Sequence, residues 1–402
     1  MSALRANQET IRSDLRETEP ARPEAAPPLS VRILPSLALE EHAAAIGSLA
    51  QRALARNVFY EAPFLIHAAH HLRDDGRPQI VSIWKGEGGD DLVGLFPIVA
   101  PRFSFVAGKA QGWLSHFMAD GTPLIDMERA EDVLSAFLDW LAASERPMVG
   151  ALFPAIDADG PFAALLRATA ARRGLATAAL DERLRAILRV GEEPSARHSG
   201  RKELRRLGRR LGERGHLQLR AATSRAEVRN AFEHFLALEA RGWKGRAGTA
   251  LMQDAAGAAF SRSAVRALAG EGRCRIDLLE LNGAPIAATI ELSAGDKASF
   301  WKTVYDENYA RFSPGAQMAA QLSERHAEER DVALVDSCAE SDHPMIDHLW
   351  SDRLRVVDMF IAASTDHGAA AETLLRRETI RRRVRTVAKQ VYRVVRPLKR
   401  AS

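Results

Sequence analysis

The chain has 402 residues, of which 46% are hydrophobic and 27% charged, with a formal net charge of +4. That is the composition of a globular protein too long for one ordinary core, so two domains of under about 200 residues each are expected. No apolar run approaches the ~18 residues of a membrane span, and the two cysteines, Cys274 and Cys338, exclude a disulfide framework and fit a reducing cytoplasm.

Residues 1–29 lack the apolar centre of a signal peptide and are rich in Pro, Glu, Arg and Ala, the composition of a disordered tail. A first half is expected over 30–192. In it 31–34 opens a strand, 39–55 shows helical spacing of Ala, Ile and Leu, and 61–72 is a second helix. Residues 79–84 and 92–99 pair as strands around the turn GEGGDD, after which helices at 134–142 and 161–172 alternate with extended runs at 148–153 and 184–190. A basic helix at 195–214, with Leu204, Leu207 and Leu211 at helical spacing, joins the halves, and its charged face reads as solvated rather than as an RNA contact.

The second half, 193–365, repeats a similar order. Strand 217–221 and helices 225–241 and 256–269 precede three strands at 275–281, 286–292 and 298–305, with hairpin turns at Asn282-Gly283 and 294–296. A helix at 314–326, a strand at 333–336, a short helix near Pro344 and a strand at 353–361 complete it. Residues 366–402 form a basic tail in which Ile380, Val384, Val387, Val391, Val394 and Leu398 make an apolar stripe beside a cationic face, suited to an anionic membrane surface or an acidic partner.

Ser313-Pro314-Gly315 offers an N-cap, a proline at the first helical position and a small residue beside it. The amides of Gly315, Ala316, Gln317 and Met318, with Arg311 adding charge, outline an anion site at a helix N-terminus, although the same tripeptide also starts helices that bind nothing. Alternation along 298–305 places Trp301, Thr303 and Tyr305 on one face and Lys302 and Val304 on the other. In that position Lys302 needs a carboxylate, an anion or solvent. The GWKG segment reads as an exposed turn presenting Trp243 and Lys244, or as a helix end over a buried Trp. The loop after 333–336 gathers Asp336, Cys338, Asp342 and His343. Asp336 and His343 are acid–base candidates, turn-capping roles compete with that, Cys338 with His343 is a nucleophile–base alternative, and no metal-ligand spacing is present.

An antiparallel meander that feeds a helix and then a parallel-type strand is the order of the GNAT acyltransferase fold. The phrases FYEAPFLIHAA (59–69), RKELRRLGRRLGERG (201–215), FLALEARGWKGRAGTAL (235–251), WKTVYDENYARFSPG (301–315) and DSCAESDHPMIDHLW (336–350) resemble the CelD-type, cellulose-biosynthesis-associated branch of that family. That branch is related to the Fem-type peptidyltransferases, which carry two GNAT units in tandem. The likeness covers 31–363 and implies a tandem GNAT fold of the α/β (α+β) class, each half a mixed, mostly antiparallel sheet flanked by helices.

The resemblance also implies a division of labour in the second half. Acetyl-CoA or another acyl-CoA would lie where the fourth and fifth strands part, its pyrophosphate on Arg311, Ser313, Gly315, Ala316, Gln317 and Met318, a turn with one glycine where the family commonly has two. Asp336, His343 and Tyr305 would be the catalytic set, and Trp243, Lys244, Trp301, Lys302 and Asp342 would line the acceptor. The expected activity is acyl-CoA-dependent N- or O-acyl transfer to a polysaccharide- or envelope-related acceptor such as a glycan precursor. It is expected in the cytoplasm, with peripheral contact at the inner face of the membrane through the tail. A Fem-like transfer from aminoacyl-tRNA and a non-catalytic accessory role in exopolysaccharide or cellulose synthesis are the alternatives, and outside the former nucleic acid is not an expected partner.

Overall fold

The computed structural model describes residues 27–72, 78–86, 91–99, 108–143, 148–191 and 198–398. Most of the expected N-terminal tail, most of the GEGGDD turn and the start of the expected basic helix lie outside them. The first half contains β1 (Leu29–Leu34), α1 (Ala43–Gln51), α2 (Ala62–His71), β2 (Gln79–Lys85), β3 (Asp91–Val99), β4 (Gly108–Gly112), β5 (Leu124–Ile125), α3 (Ala130–Ala142), β6 (Met148–Asp157), α4 (Pro161–Arg173) and β7 (Thr177–Arg189). The second contains α5 (His198–Gly212), β8 (Leu217–Ala222), α6 (Arg225–Arg241), α7 (Trp243–Arg246), α8 (Ala255–Gly270), β9 (Cys274–Leu281), β10 (Ala284–Ala294), β11 (Lys297–Tyr305), α9 (Pro314–Glu329), β12 (Leu334–Asp336), β13 (Asp352–Ala362) and α10 (Gly368–Leu398).

Local chemistry sets many of the boundaries. Helix α4 begins with Pro161 and ends on Gly174 at φ +64°, and α6 opens with a reciprocal Ser224–Glu227 capping box. Asn282 and Gly283, both at positive φ, close the β9–β10 hairpin. Other boundaries follow from partners far away in sequence. The expected helix at 39–55 is the shorter α1, preceded by a 3-10 turn at Ser36–Ala38. Strand β7 starts at Thr177, well before the expected 184, because its polar first part pairs with β13. The short Gly-rich β4 is a strand through its parallel pairing with β6.

All the strands form one sheet in the order β1-β2-β3-β4-β6-β13-β7-β12-β11-β10-β9-β8, with β5 beside β3. The order is palindromic. Each half runs as four antiparallel strands followed by one parallel contact, β4 with β6 and β11 with β12. Between these arms the last strands are exchanged, so that β13 of the second half lies beside β6 and β7 of the first half lies beside β12, while β13 and β7 pair with each other at the centre. The largest apolar cluster joins both halves through Phe64, Phe117, Phe260 and Trp301, four aromatics packed edge-on or tilted. Burying a large apolar side chain contributes ~1.5–3 kcal/mol, so this shared cluster resists separation of the halves. No helix among the described residues is long and apolar enough to cross a membrane.

Candidate active site

Strands β11 and β12 pair for three residues only, Lys297 with Leu334, Ala298 with Val335 and Ser299 with Asp336. Beyond that point β12 ends, β11 runs on to Tyr305 bonded to β10 alone, and a wedge opens between it and the loop 337–345. A bulge sits at the mouth of the wedge. Ile290 faces Lys302 and Glu291 faces Phe300, which leaves Trp301 as the extra residue. Strict alternation is therefore broken, and Trp301 and Lys302, expected on opposite faces, turn toward the same aromatic cluster. Trp301 Nε1 donates to the Phe117 carbonyl at 2.8 Å, and Lys302 Nζ lies 4.9 Å from the Phe117 ring centroid and 5.0 Å from that of Trp301. Val304 packs against the same cluster.

Lys302 has no hydrogen bond or ion pair among the described residues. Burial and the Lys244 ammonium lower its amine to about 8, with Glu239 opposing them. Glu239 is itself committed, because its buried carboxylate accepts from Lys244 Nζ at 2.7 Å and from the Leu251 amide at 2.8 Å. Lys244 belongs to α7, a single helical turn that follows the end of α6 at Gly242 and presents Trp243 on the surface rather than burying it. A Cβ on Gly245 would lie 1.8 Å from the Ala240 carbonyl oxygen, so only glycine fits there. Trp243 is 61% exposed, and Glu307 ties its amide and the Arg246 guanidinium to the 3-10 turn Glu307–Phe312 that follows β11.

At the root of the wedge four buried or half-buried charges interlock. The Asp336 carboxylate accepts from Arg185 Nη1 at 3.1 Å and from the Cys338 amide at 2.8 Å. Arg185 Nη1 also reaches the Ala119 carbonyl at 2.9 Å, and Lys297 donates to Asp120 at 2.9 Å. Burial alone would lower the Lys297 ammonium, but Asp120 and Asp336 outweigh it and raise it. With its oxygens so engaged, Asp336 acts as a structural junction of β12, β7 and the segment 113–123. Cys338 sits at φ +53°, and burial together with Asp336 pushes its thiol up to about 12, which keeps it protonated and unsuited to act as a thiolate nucleophile.

The remaining expected residues divide between the site and the fold. His343 uses Nδ1 to accept from the Met345 and Ile346 amides, both at 3.4 Å, and so holds the 3-10 turn Ile346–His348. Asp342 is exposed at φ +60°. Tyr305 packs over the start of α9, where a Cβ on Gly315 would lie 3.4 Å from its ring and 3.1 Å from Met345 Sδ. Ser313 is in the left-handed region at φ +51° and makes no side-chain cap, which corrects the expected N-cap; Pro314 does occupy the first turn. The Gln317 amide bonds the Ser313 carbonyl and its side chain donates to the Phe312 carbonyl at 2.7 Å, while Met318 is buried with Leu211 and Leu279. Of the expected anion donors, the first-turn amides of Gly315 and Ala316 remain, with Arg311 exposed and stacked 4.9 Å over Phe312.

Sequence reasoning missed the wall that the first half supplies. After β4 the chain crosses to the second half, where Phe117, Ala119 and Asp120 meet Trp301, Lys302, Arg185 and Lys297. The equivalent wedge of the first half is closed. A Cβ on Gly121 would lie 2.3 Å from the Pro154 oxygen of β6, and one on Gly112 would lie 2.7 Å from Pro154 Cδ. No motif marks 113–123; its only signal is a pair of aromatics, Trp113 and Phe117, of the kind found in many cores. Two clefts of about 510 Å³ lie toward the end where β11 and β12 are still paired. One runs along α9 between Arg189, Arg205, Gln317 and Arg330, and the other lies at the root beside Arg56, Asp120, Asp157 and Lys297.

Residues 198–343, from α5 through the wedge to its loop, match the family described as an acetyltransferase (GNAT) domain. The matched segment of the second half is thus similar to an acetyltransferase (GNAT) domain. The chain is similar in fold to the C-terminal domain described as that of a lysylphosphatidylglycerol synthetase from Agrobacterium fabrum, at 13% identity and TM-score 0.51 over 83% of this chain and 95% of that one. It is similar to FemX to the same degree, at 12% identity and TM-score 0.51 over 83% of this chain and 96% of that one. Both likenesses extend across the two halves, as the tandem GNAT architecture requires. No curated protein matches the sequence. Phe117 and Arg185, which complete the wedge of the GNAT domain, lie outside the matched segment.

Proposed function

We propose that this protein transfers an acyl group from acyl-CoA to an amine or hydroxyl held in the wedge between β11 and the loop 337–345, with Lys302 as the proton acceptor. The observation that carries the reading is Lys302 itself, an amine lowered to about 8 and resting on two aromatic faces where β11 loses its second partner. The acceptor attacks the thioester carbonyl, the sulfur leaves with the bonding pair, and the acceptor's proton passes to neutral Lys302. Peptide groups of β11 beyond Ser299 that face the wedge are available to the donor's amide-bearing arm. The amides of Gly315 and Ala316, with Arg311, suit its phosphates, and a cleft running toward the other end of α9 carries Arg189, Arg205 and Arg330. Those three arginines make no ion pair among the described residues.

The exposed Trp243 offers a flat apolar face, as a sugar ring would use. Together with the sequence resemblance to the CelD-type branch, this makes a cytoplasmic glycan precursor the acceptor we put forward. The test is to incubate the purified protein with acetyl-CoA and longer acyl-CoAs and follow thiol release and acceptor mass. Absence of binding at millimolar acyl-CoA in a titration calorimeter would sink the donor assignment. A second donor, aminoacyl-tRNA, is favoured by the exposed Arg205, Arg206, Arg209 and Arg210 on α5, next to the same cleft. It requires tRNA affinity that falls steeply with salt, and salt-insensitive or absent binding removes it. A non-catalytic accessory role is eliminated by turnover with either donor.

A further inference from the structure

The long last helix, α10, is anchored at its root. At its root Ala371 is fully buried, and Leu374 and Leu375 pack on the first-half core. Burial would raise the Glu378 carboxyl, but hydrogen bonds from Arg381 and Arg382 and the charge of Lys109 hold it down to about 2. Arg382 bridges onward to Asp358 at 2.7 Å and Asp181 at 3.2 Å. The opposite face is bare, with Ile380 at 55% and Val384 at 63% exposure. Helical spacing continues from these two through positions 387, 391, 394 and 398, in steps of three or four. Beyond Glu378 the sequence has nine Lys or Arg and no acidic residue, so the apolar stripe is flanked by positive charge throughout.

We propose that α10 docks the protein on an anionic lipid bilayer, lying flat with the Ile380–Val384 stripe in the acyl boundary and its arginines and lysines among the headgroups. Its charge density excludes a spanning orientation, as does the lack of any described helix apolar enough to cross. A second copy of the chain is disfavoured as the occupant, because two such helices would set like charges against each other along the seam. A nucleic acid would use the cations but leave the apolar stripe in water. An anionic bilayer satisfies both faces at once.

The experiment is sedimentation of the full chain with vesicles of phosphatidylcholine alone or mixed equally with phosphatidylglycerol. Binding to the mixed vesicles is expected to be at least about tenfold tighter and to weaken with salt. The exposed double variant Ile380→Glu/Val384→Glu should lose that binding while keeping its circular dichroism and its transfer activity in solution. The proposal is overturned by equal binding to both vesicles, by no binding to either, or by a variant that sediments like the wild type. It is equally overturned if the variant instead abolishes a concentration-dependent dimer seen by analytical ultracentrifugation without vesicle binding.

Discussion

Lys302 and His326 show how differently two buried cations can be held. Lys302 rests on π faces with no carboxylate in contact, so its neutral form is accessible near pH 8. Transfer should rise as pH passes through about 8, and Lys302→Met should lower kcat about 10²-fold and flatten that rise. Lys302→Arg keeps a cation over the rings but no neutral base, so it should be as slow as the Met variant; wild-type pH behaviour in either would take Lys302 out of the proton path. His326 is fully buried, with Nε2 2.8 Å from Glu291 and Nδ1 2.9 Å from Asp331, so it bridges two carboxylates as an imidazolium, with Arg325 also on Glu291. Burial pulls its pKa down, but the two carboxylates prevail and raise it above 6.5. Its stabilisation is complete below the unfolded value and is lost as pH rises through the higher folded one. Urea midpoints should therefore fall on going from below pH 6.5 to alkaline conditions, and His326→Gln should remove that slope. Lys302 stood out in the sequence as a charge inside an apolar strand, whereas His326 carried no signal, since its partners lie on another strand and beyond a helix end.

At the scale of elements, the informative cases are those in which local pattern met a tertiary constraint. The bulge at Trp301 cannot be read from period-two alternation, because the extra residue is defined only against β10. The glycines of GWKG suggested an exposed turn, and the structure adds that Gly245 lets that turn, α7, fold back onto Ala240. Gly245→Ala should displace α7, raise KM for the acceptor more than it lowers kcat, and cost at least ~1–3 kcal/mol of stability through overpacking; an unchanged KM would detach α7 from the acceptor site. The root of α10 depends on an ionised Glu378, whose folded pKa of about 2 lies below the ordinary 4.5. That contribution is present above the unfolded value and is lost as pH falls from 4.5 towards 2. Glu378→Gln should loosen the helix at neutral pH, seen as faster amide exchange over the segment around Ala371 and Leu375.

For the molecule as a whole, exchange of β7 and β13 makes each arm of the sheet depend on a strand from the other half. Chains cut between 191 and 198 and expressed separately should each be poorly soluble, and coexpression should restore a stable, active complex; independent folding of both pieces would contradict the interlock. The same exchange brings Arg185 to Asp336 and lets the 113–123 segment wall the wedge, so the GNAT domain matched at 198–343 is incomplete as a site without the first half. By itself the sequence determined what depends on neighbours in the chain: the Asn282-Gly283 hairpin, the proline-led start of α9, the three-strand meander and the parallel-type strand after it. Tertiary structure alone decided which strands pair across the centre, where β11 and β12 part, and that Asp336 and His343 bond to their own loop and to β7 while Lys302 rests on the Phe117 and Trp301 rings. The physical reason is range: period, caps and turns are written within a few residues, whereas a contact such as Arg185 with Asp336 spans 151 positions and leaves no local trace.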